Sequence, residues 1–202
     1  MNAIKNDDQS DYLIHLVGKE NPYETFMRIL SSGKVCSKNS FGYKKECHKK
    51  NSICFSEIPP KFLKKLVNRR YNYGIVFKKD WLLKVGAQRV WYVEKDSKEH
   101  ISLTHLSNNL SGLDKEYFFD LAPFIDIPGE YGSSRYRFEW EREWRIIGDL
   151  SFAPDDVAFL ILPCDVHEHA RSFFADAEEE QVGPNYDCPY YDPLKDQFSN
   201  KK

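Results

Sequence analysis

Residues 138–145 read FEWEREWR, and the stretch can be phased in two ways. As a strand, alternation places Phe138, Trp140, Arg142 and Trp144 on one face, and Glu139, Glu141, Glu143 and Arg145 on the other. As a helix, Trp140 stacks over Trp144 and Glu141 reaches Arg145, both four residues apart. The flanking residues separate these readings for the second half. Ile146 and Ile147 add β-branched side chains, and Gly148-Asp149 stops the segment soon afterwards. The reading is therefore a strand over residues 142–147, entered from a helical or turn-like segment. Glu143 and Arg145 then share a face, and Trp144 packs beneath on the other.

Working outward, residues 123–134 form a Pro- and Gly-rich insert placed to cap a cleft. VAFLIL at 157–162 is the most hydrophobic strand and feeds a helix over 165–177 with Asp165 as its N-cap. Towards the amino end, DYLIHLV (11–17) is a β-type run holding His15. Asn21-Pro22 opens the helix PYETFMRILSSG, with Pro in its first turn, Gly33 as its stop, and Phe26, Ile29 and Leu30 at helical spacing. Residues 36–51 read as a polar, lysine-rich loop and SICFS (52–56) as a short buried strand. Pro59-Pro60 starts a second helix with Phe62, Leu63 and Leu66 inward. YGIVF (73–77) and RVWYV (89–93) read as strands, residues 81–85 as a helical turn, and 99–109 and 114–121 as helices. The tail from Gly183 is turn-rich and aromatic, and is expected to pack across the surface. Strands and helices intermingle without strict βαβα alternation. This predicts an α+β protein with a mixed, curved or split sheet of about five to seven strands flanked by helices. A single domain over 1–202 is expected, with a core at 11–180 and peripheral tails at 1–10 and 183–202.

Composition narrows the function classes. The net charge of −2 supplies no global field for nucleic acid. The basic runs KKECHKK (44–50) and KKLVNRR (64–70) read as solvated faces, with phosphate binding as the alternative. No run of apolar residues is long enough to span a membrane, and the polar, acidic start MNAIKNDDQSDY is not a signal peptide. Five irregularly spaced cysteines in such a chain read as reduced thiols, so a cytoplasmic location is expected. Cys36, Cys47, His48 and Cys54 contain no CxxC pair, and no metal site is expected.

Glu141 and Glu143 are the sharpest catalytic candidates. Two apart on a strand, they would point the same way with Cα atoms about 6–7 Å apart. Lining a cleft, one orients a ribose hydroxyl while the other stabilises positive charge developing at an anomeric carbon. The alternative is an Arg–Glu ladder on a solvated strand. His15 is either a satisfied core histidine or a donor to ribose or phosphate at a strand edge. Glu57 either caps the helix after it or projects into the same cleft, and Tyr73 either stacks an aromatic ligand or fills the core. GxGxxG, GxxxxGK[ST] and GxSxG are absent. His167-Glu168-His169 lacks HExxH spacing and reads as a solvated helix face.

The pieces LIHLV, MRILSSGKV, SICFSEIP, YNYGIVFKKDWL, RVWYV and EREWR, taken in order, resemble the AbiGi family of antitoxin partners in bacterial abortive-infection systems. The likeness covers residues 12–148, with EREWR and CFSE its more specific parts. The strand-histidine and helix at the start also look like those of ADP-ribosyltransferase domains of the DarT kind. That second resemblance implies a split sheet clasping NAD as co-substrate, with Glu143 or Glu141 as catalytic glutamate and His15 as the early polar residue. It further makes Tyr73 a looser candidate for the nicotinamide stack, and in an enzyme of this kind His15 and Arg145 would hold ribose or pyrophosphate. The chain departs from the DNA-modifying members by carrying Lys34, Lys38 and the 44–50 run where an arginine is expected. Two functions follow from the resemblances. One is an NAD-dependent ADP-ribosyltransferase or NAD hydrolase with a protein or nucleic-acid acceptor. The other is a non-catalytic module that binds a cognate toxin or defence protein, with no membrane partner.

Overall fold

The computed structural model describes residues 10–18, 20–59, 62–67, 72–131, 134–135 and 139–199. Along the chain lie β1 (Tyr12–Leu16), α1 (Pro22–Ser32), β2 (Lys34–Val35), β3 (Asn39–Ser40), α2 (Lys45–His48), β4 (Asn51–Ser56), α3 (Leu63–Val67), β5 (Gly74–Lys78) and α4 (Lys79–Lys84). There follow β6 (Gln88–Arg89), β7 (Trp91–Tyr92), α5 (Lys98–Asn109), α6 (Gly112–Leu121), β8 (Ile125–Asp126), β9 (Glu130–Tyr131) and β10 (Ser134–Arg135). The chain ends in β11 (Glu143–Ile147), β12 (Leu150–Ser151), β13 (Val157–Ile161), α7 (His167–Glu179), β14 (Tyr190–Asp192) and β15 (Gln197–Ser199). The class is α+β, with a mixed, open sheet flanked by helices. Among the described residues no helix is long and apolar enough to cross a membrane. Of the expectations above, those on residues 1–9, on the ends of the second helix (60–61 and 68–70) and on Phe138 lie outside the described residues.

Packing divides the chain into two compact units. The first comprises Met1–Val35, Phe55–Val85 and Leu150–Lys202. Its strands run β15-β14-β13-β5-β1, and β1 also pairs with the end of β4 through Ile14 and Ser56. β13 and β14 are parallel, while β5 is antiparallel to both β1 and β13. In β5 the residues Gly74, Ile75, Val76 and Phe77 are all buried, as expected of a strand covered on both faces. Ile14, Ile58, Leu63, Leu66, Val76, Phe159, Ile161 and Tyr191 form one core. α1 begins at Pro22 and stops at Gly33, which adopts φ +59° and returns its N–H to the Leu30 carbonyl at 3.2 Å. Phe26, Ile29 and Leu30 are its buried face, as their spacing predicts.

Four expectations in this unit are corrected. Phe62 is exposed, and the buried stripe of α3 is Leu63, Leu66 and Val67. Asp165 is not an N-cap: residues 164–166 form a 3-10 turn, and α7 starts at His167 behind Val166. His167 is buried rather than solvated. Its Nε2 donates to the Leu162 carbonyl at 3.0 Å, and Nδ1 meets the Ser199 hydroxyl at 2.8 Å. The aromatic tail does not drape the surface. Tyr190 and Tyr191 are buried in β14, and buried Tyr186 donates to the Leu30 carbonyl at 2.7 Å. Turn residues in the tail mask two short strands, because β14 finds its partner in the distant β13 and β15 then adds to β14.

Asp192 closes this tail and carries a test. Its Oδ2 accepts from the Cys164 N–H at 3.0 Å, and Oδ1 from the Leu194 and Lys195 N–H groups at 2.9 and 3.4 Å. Burial works to raise its pKa, but these backbone donors prevail and hold it below the ordinary 3.8. A depressed folded pKa contributes stability that is fully present above 3.8 and is lost as pH falls through the folded value. Asp192→Ala is expected to cost about 2 kcal/mol at neutral pH. Urea titrations should show that difference shrinking as the pH is lowered past 3.8.

The second unit comprises Cys36–Cys54 and Gly86–Asp149. β3 pairs with β4, β11 lies between β4 and β6, and β7 pairs in parallel with β8. Tyr43, Val93, Leu103, Phe118, Ala122 and Ile125 form its core. The expected single strand over 89–93 is two. β6 follows β11 and β7 follows β8, and at the changeover Val90 donates its N–H to the Glu143 carbonyl at 2.9 Å. The insert at 123–134 is in part core rather than cap, since Pro123 and Ile125 are buried.

Candidate functional site

The quoted segment contains a 3-10 turn at Glu139–Glu141, then Arg142 at φ +46°, then β11. A left-handed residue between turn and strand breaks the alternation. Glu141 is buried in the turn, so it does not share a strand face with Glu143 as two-residue spacing suggested. From Glu143 onward alternation holds. Trp144 turns inward at 6% exposure under the Arg89 guanidinium, 5.1 Å from its ring centre, while Glu143 and Arg145 project together.

Those two side chains meet. Arg145 Nε donates to Glu143 Oε1 at 2.8 Å, and Nη2 to Glu143 Oε2 at 3.1 Å. Nη2 also reaches Asp126 Oδ2 at 2.6 Å, and Nη1 donates to the Pro123 carbonyl at 2.6 Å. Tyr92 adds its hydroxyl to Glu143 Oε2 at 3.0 Å, and the Phe41 ring centre lies 5.4 Å from the guanidinium. Arg145 is 1% exposed, so nearly all of its donor fork must be met from inside the protein, and it is. Burial alone would lower the guanidinium's pKa, yet the Glu143 carboxylate, aided by Asp126, keeps it above its ordinary value. Burial and then Glu143 push the Tyr92 hydroxyl and the Cys54 thiol up, so both are neutral. A neutral thiol of this kind is not a nucleophile.

The arrangement is a fastened ionic cluster: one carboxylate holds two guanidinium nitrogens and a phenol. For Glu143 to stabilise charge on a ligand, it would have to exchange these partners for it. Tyr92, Asp126, Pro123 and Phe41 complete the cluster and were not visible in sequence. Asp126 sits in the insert, and Tyr92 lies within an apolar run, so neither carries a local signal. The Tyr92–Asp126 register of β7 and β8 is what brings them to Arg145.

His15, Tyr73 and Glu57 belong to the first unit, where each has its own surroundings. The His15 ring is 5.8 Å from that of Phe55. Tyr73 lies 5.8 Å from Tyr23 and 5.5 Å from Phe26, centre to centre. Glu57 is 1% exposed and receives Lys79 Nζ at 2.8 Å, a buried carboxylate with its counter-charge. Among the described residues no three His, Cys, Asp or Glu side chains gather as a metal would require.

Comparison with known proteins gives one family. Residues 32–163 match the model described as "Putative abortive phage resistance protein AbiGi, antitoxin". No curated protein and no solved structure matches the chain. The matched span takes in β4, α5, α6, β11 and the whole Arg145 cluster. On that match, over more than half of its length, the chain belongs to the AbiGi family.

Proposed function

We propose that this protein is an antitoxin of phage–host conflict that works by binding a cognate toxin or defence protein, without chemistry of its own. The observation that carries the reading is the family match over residues 32–163. Two features of the second unit support it. Glu143 and Arg145, the groups best suited to NAD chemistry, are engaged with each other and with Tyr92. The same unit also bears a concavity of about 320 Å³ lined by Trp91, Lys98, Glu99, Ser102, Leu103 and Leu106. Trp91 and Leu106 are 51% and 46% exposed there, an aromatic–aliphatic pair of the sort that anchors protein interfaces.

The alternative is cleavage of NAD, with Glu143 or Glu141 as the transition-state carboxylate. Two measurements separate the readings. The tagged chain, purified from its native host, is expected to bring down one partner in stoichiometric amount, identified by mass spectrometry. The purified chain incubated with NAD is expected to release no more nicotinamide than its Glu143→Gln variant. Saturable release abolished by that variant would overturn the binding-module reading.

A further inference from the structure

We propose that α6 is the seam on which the partner seats a helix of its own, apolar along one stripe and basic on its flanks. The inference rests on the antitoxin reading and names the surface and the partner chemistry. Leu113, Tyr117 and Leu121 follow one another at four-residue steps, so they form a single stripe along the helix. All three face solvent, at 60%, 59% and 62% exposure. The face that holds α6 to its unit is elsewhere, at Phe118. Three side chains of this size and exposure amount to roughly 300 Å² of apolar surface, a patch large enough to be functional on a soluble protein.

Charge selects the occupant. By helical phase Asp114 borders one side of the stripe, and Glu116 and Asp120 border the other. Asp120 is paired with Lys50, whereas Asp114 and Glu116 have no basic partner among the described residues. The one cation of the helix, Lys115, turns away to lie 5.9 Å from the Phe119 ring centre. An apolar stripe between carboxylates repels phosphate, so nucleic acid and an anionic lipid surface are poor fits. A second copy is disfavoured too, because a two-fold pairing would bring acidic rims together. A partner helix with aliphatic residues at matching steps and Lys or Arg beside them satisfies both the stripe and the rims.

The test uses the full chain and the partner that co-purifies with it. Tyr117→Asp/Leu121→Asp is expected to weaken the complex by about tenfold or more. Asp114→Lys/Glu116→Lys should slow association by about threefold or more and flatten its salt dependence. Phe173→Asp, an exposed position on α7 in the other unit, serves as the control and should change neither. Circular dichroism confirms that each variant is folded. Hydrogen exchange in the complex should protect α6 together with a basic, helical segment of the partner. If the partner binds the α6 variants normally, the seam is wrong while the antitoxin reading stands. Protection of α6 by a second copy, lost on dilution, would also overturn the proposal. If no partner co-purifies, both readings fall.

Discussion

Arg145→Met is expected to lower folding stability by about 3–5 kcal/mol, the range for removing one member of a buried ionic cluster. The substitution keeps most of the buried stem and removes only the fork. Left behind are the Glu143 carboxylate, the Asp126 oxygen and the Pro123 carbonyl, each of which receives a guanidinium nitrogen within 3.1 Å. The cost comes mainly from the charge stranded on Glu143. That side chain is 13% exposed and would keep the neutral Tyr92 hydroxyl but lose its cation, while the more exposed Asp126 regains water. Two further results follow. Arg145→Lys should recover less than half of the loss, since an ammonium cannot span Glu143, Asp126 and Pro123 together. Adding Glu143→Gln to Arg145→Met should return part of it, because the amide carries no charge to strand. Guanidinium titration of the four proteins checks the set. A loss below about 1 kcal/mol for Arg145→Met would mean the cluster behaves as a surface pair.

Gly42→Ala is the second large effect. Gly42 stands at φ +94°, where a side chain is strained whatever space surrounds it. Here there is no space. A Cβ would meet the Ala122 carbonyl oxygen, and the Pro123 Cα and carbonyl oxygen at 2.7 Å. These are backbone atoms and cannot rotate away. The neighbouring Tyr43 N–H donates to the same Ala122 carbonyl at 2.9 Å, so the two segments are tied as well as touching. Strain and overlap together should cost about 3 kcal/mol. Because the displaced Pro123 carbonyl is also an acceptor of Arg145, Gly42→Ala and Arg145→Met should combine to less than their sum. Denaturation of the single and double variants measures that coupling, and strict additivity would place Gly42 outside the cluster's support.

These two positions also show where reading from sequence ends. Gly42 sits in a lysine-rich loop and looks like any loop glycine. Its role comes from residues 122–123, eighty positions away, and no local pattern announces a contact of that range. Arg145 is a different case. Its sharing of a face with Glu143 follows from the two-residue period of a strand and is legible directly. That the pair faces inward towards Asp126 and Tyr92, rather than outward as a solvated ladder, is not.

The amino-acid sequence by itself determined what depends on near neighbours. Pro22 and Gly33 set the ends of α1, Phe26, Ile29 and Leu30 set its buried face, and the isoleucines before Gly148 set β11. Such signals are steric or periodic and act within a few residues. Tertiary structure alone decided which strand each run pairs with, and through that the rest. The division of 89–93 between β6 and β7, the recruitment of the tail into β14 and β15, the burial of His167 and the closure of the Arg145 cluster all follow from it. A backbone hydrogen-bond ladder has no residue code of its own. Register is chosen by the summed burial and polar satisfaction of segments far apart in the chain, and a single stretch such as FEWEREWR cannot contain that sum.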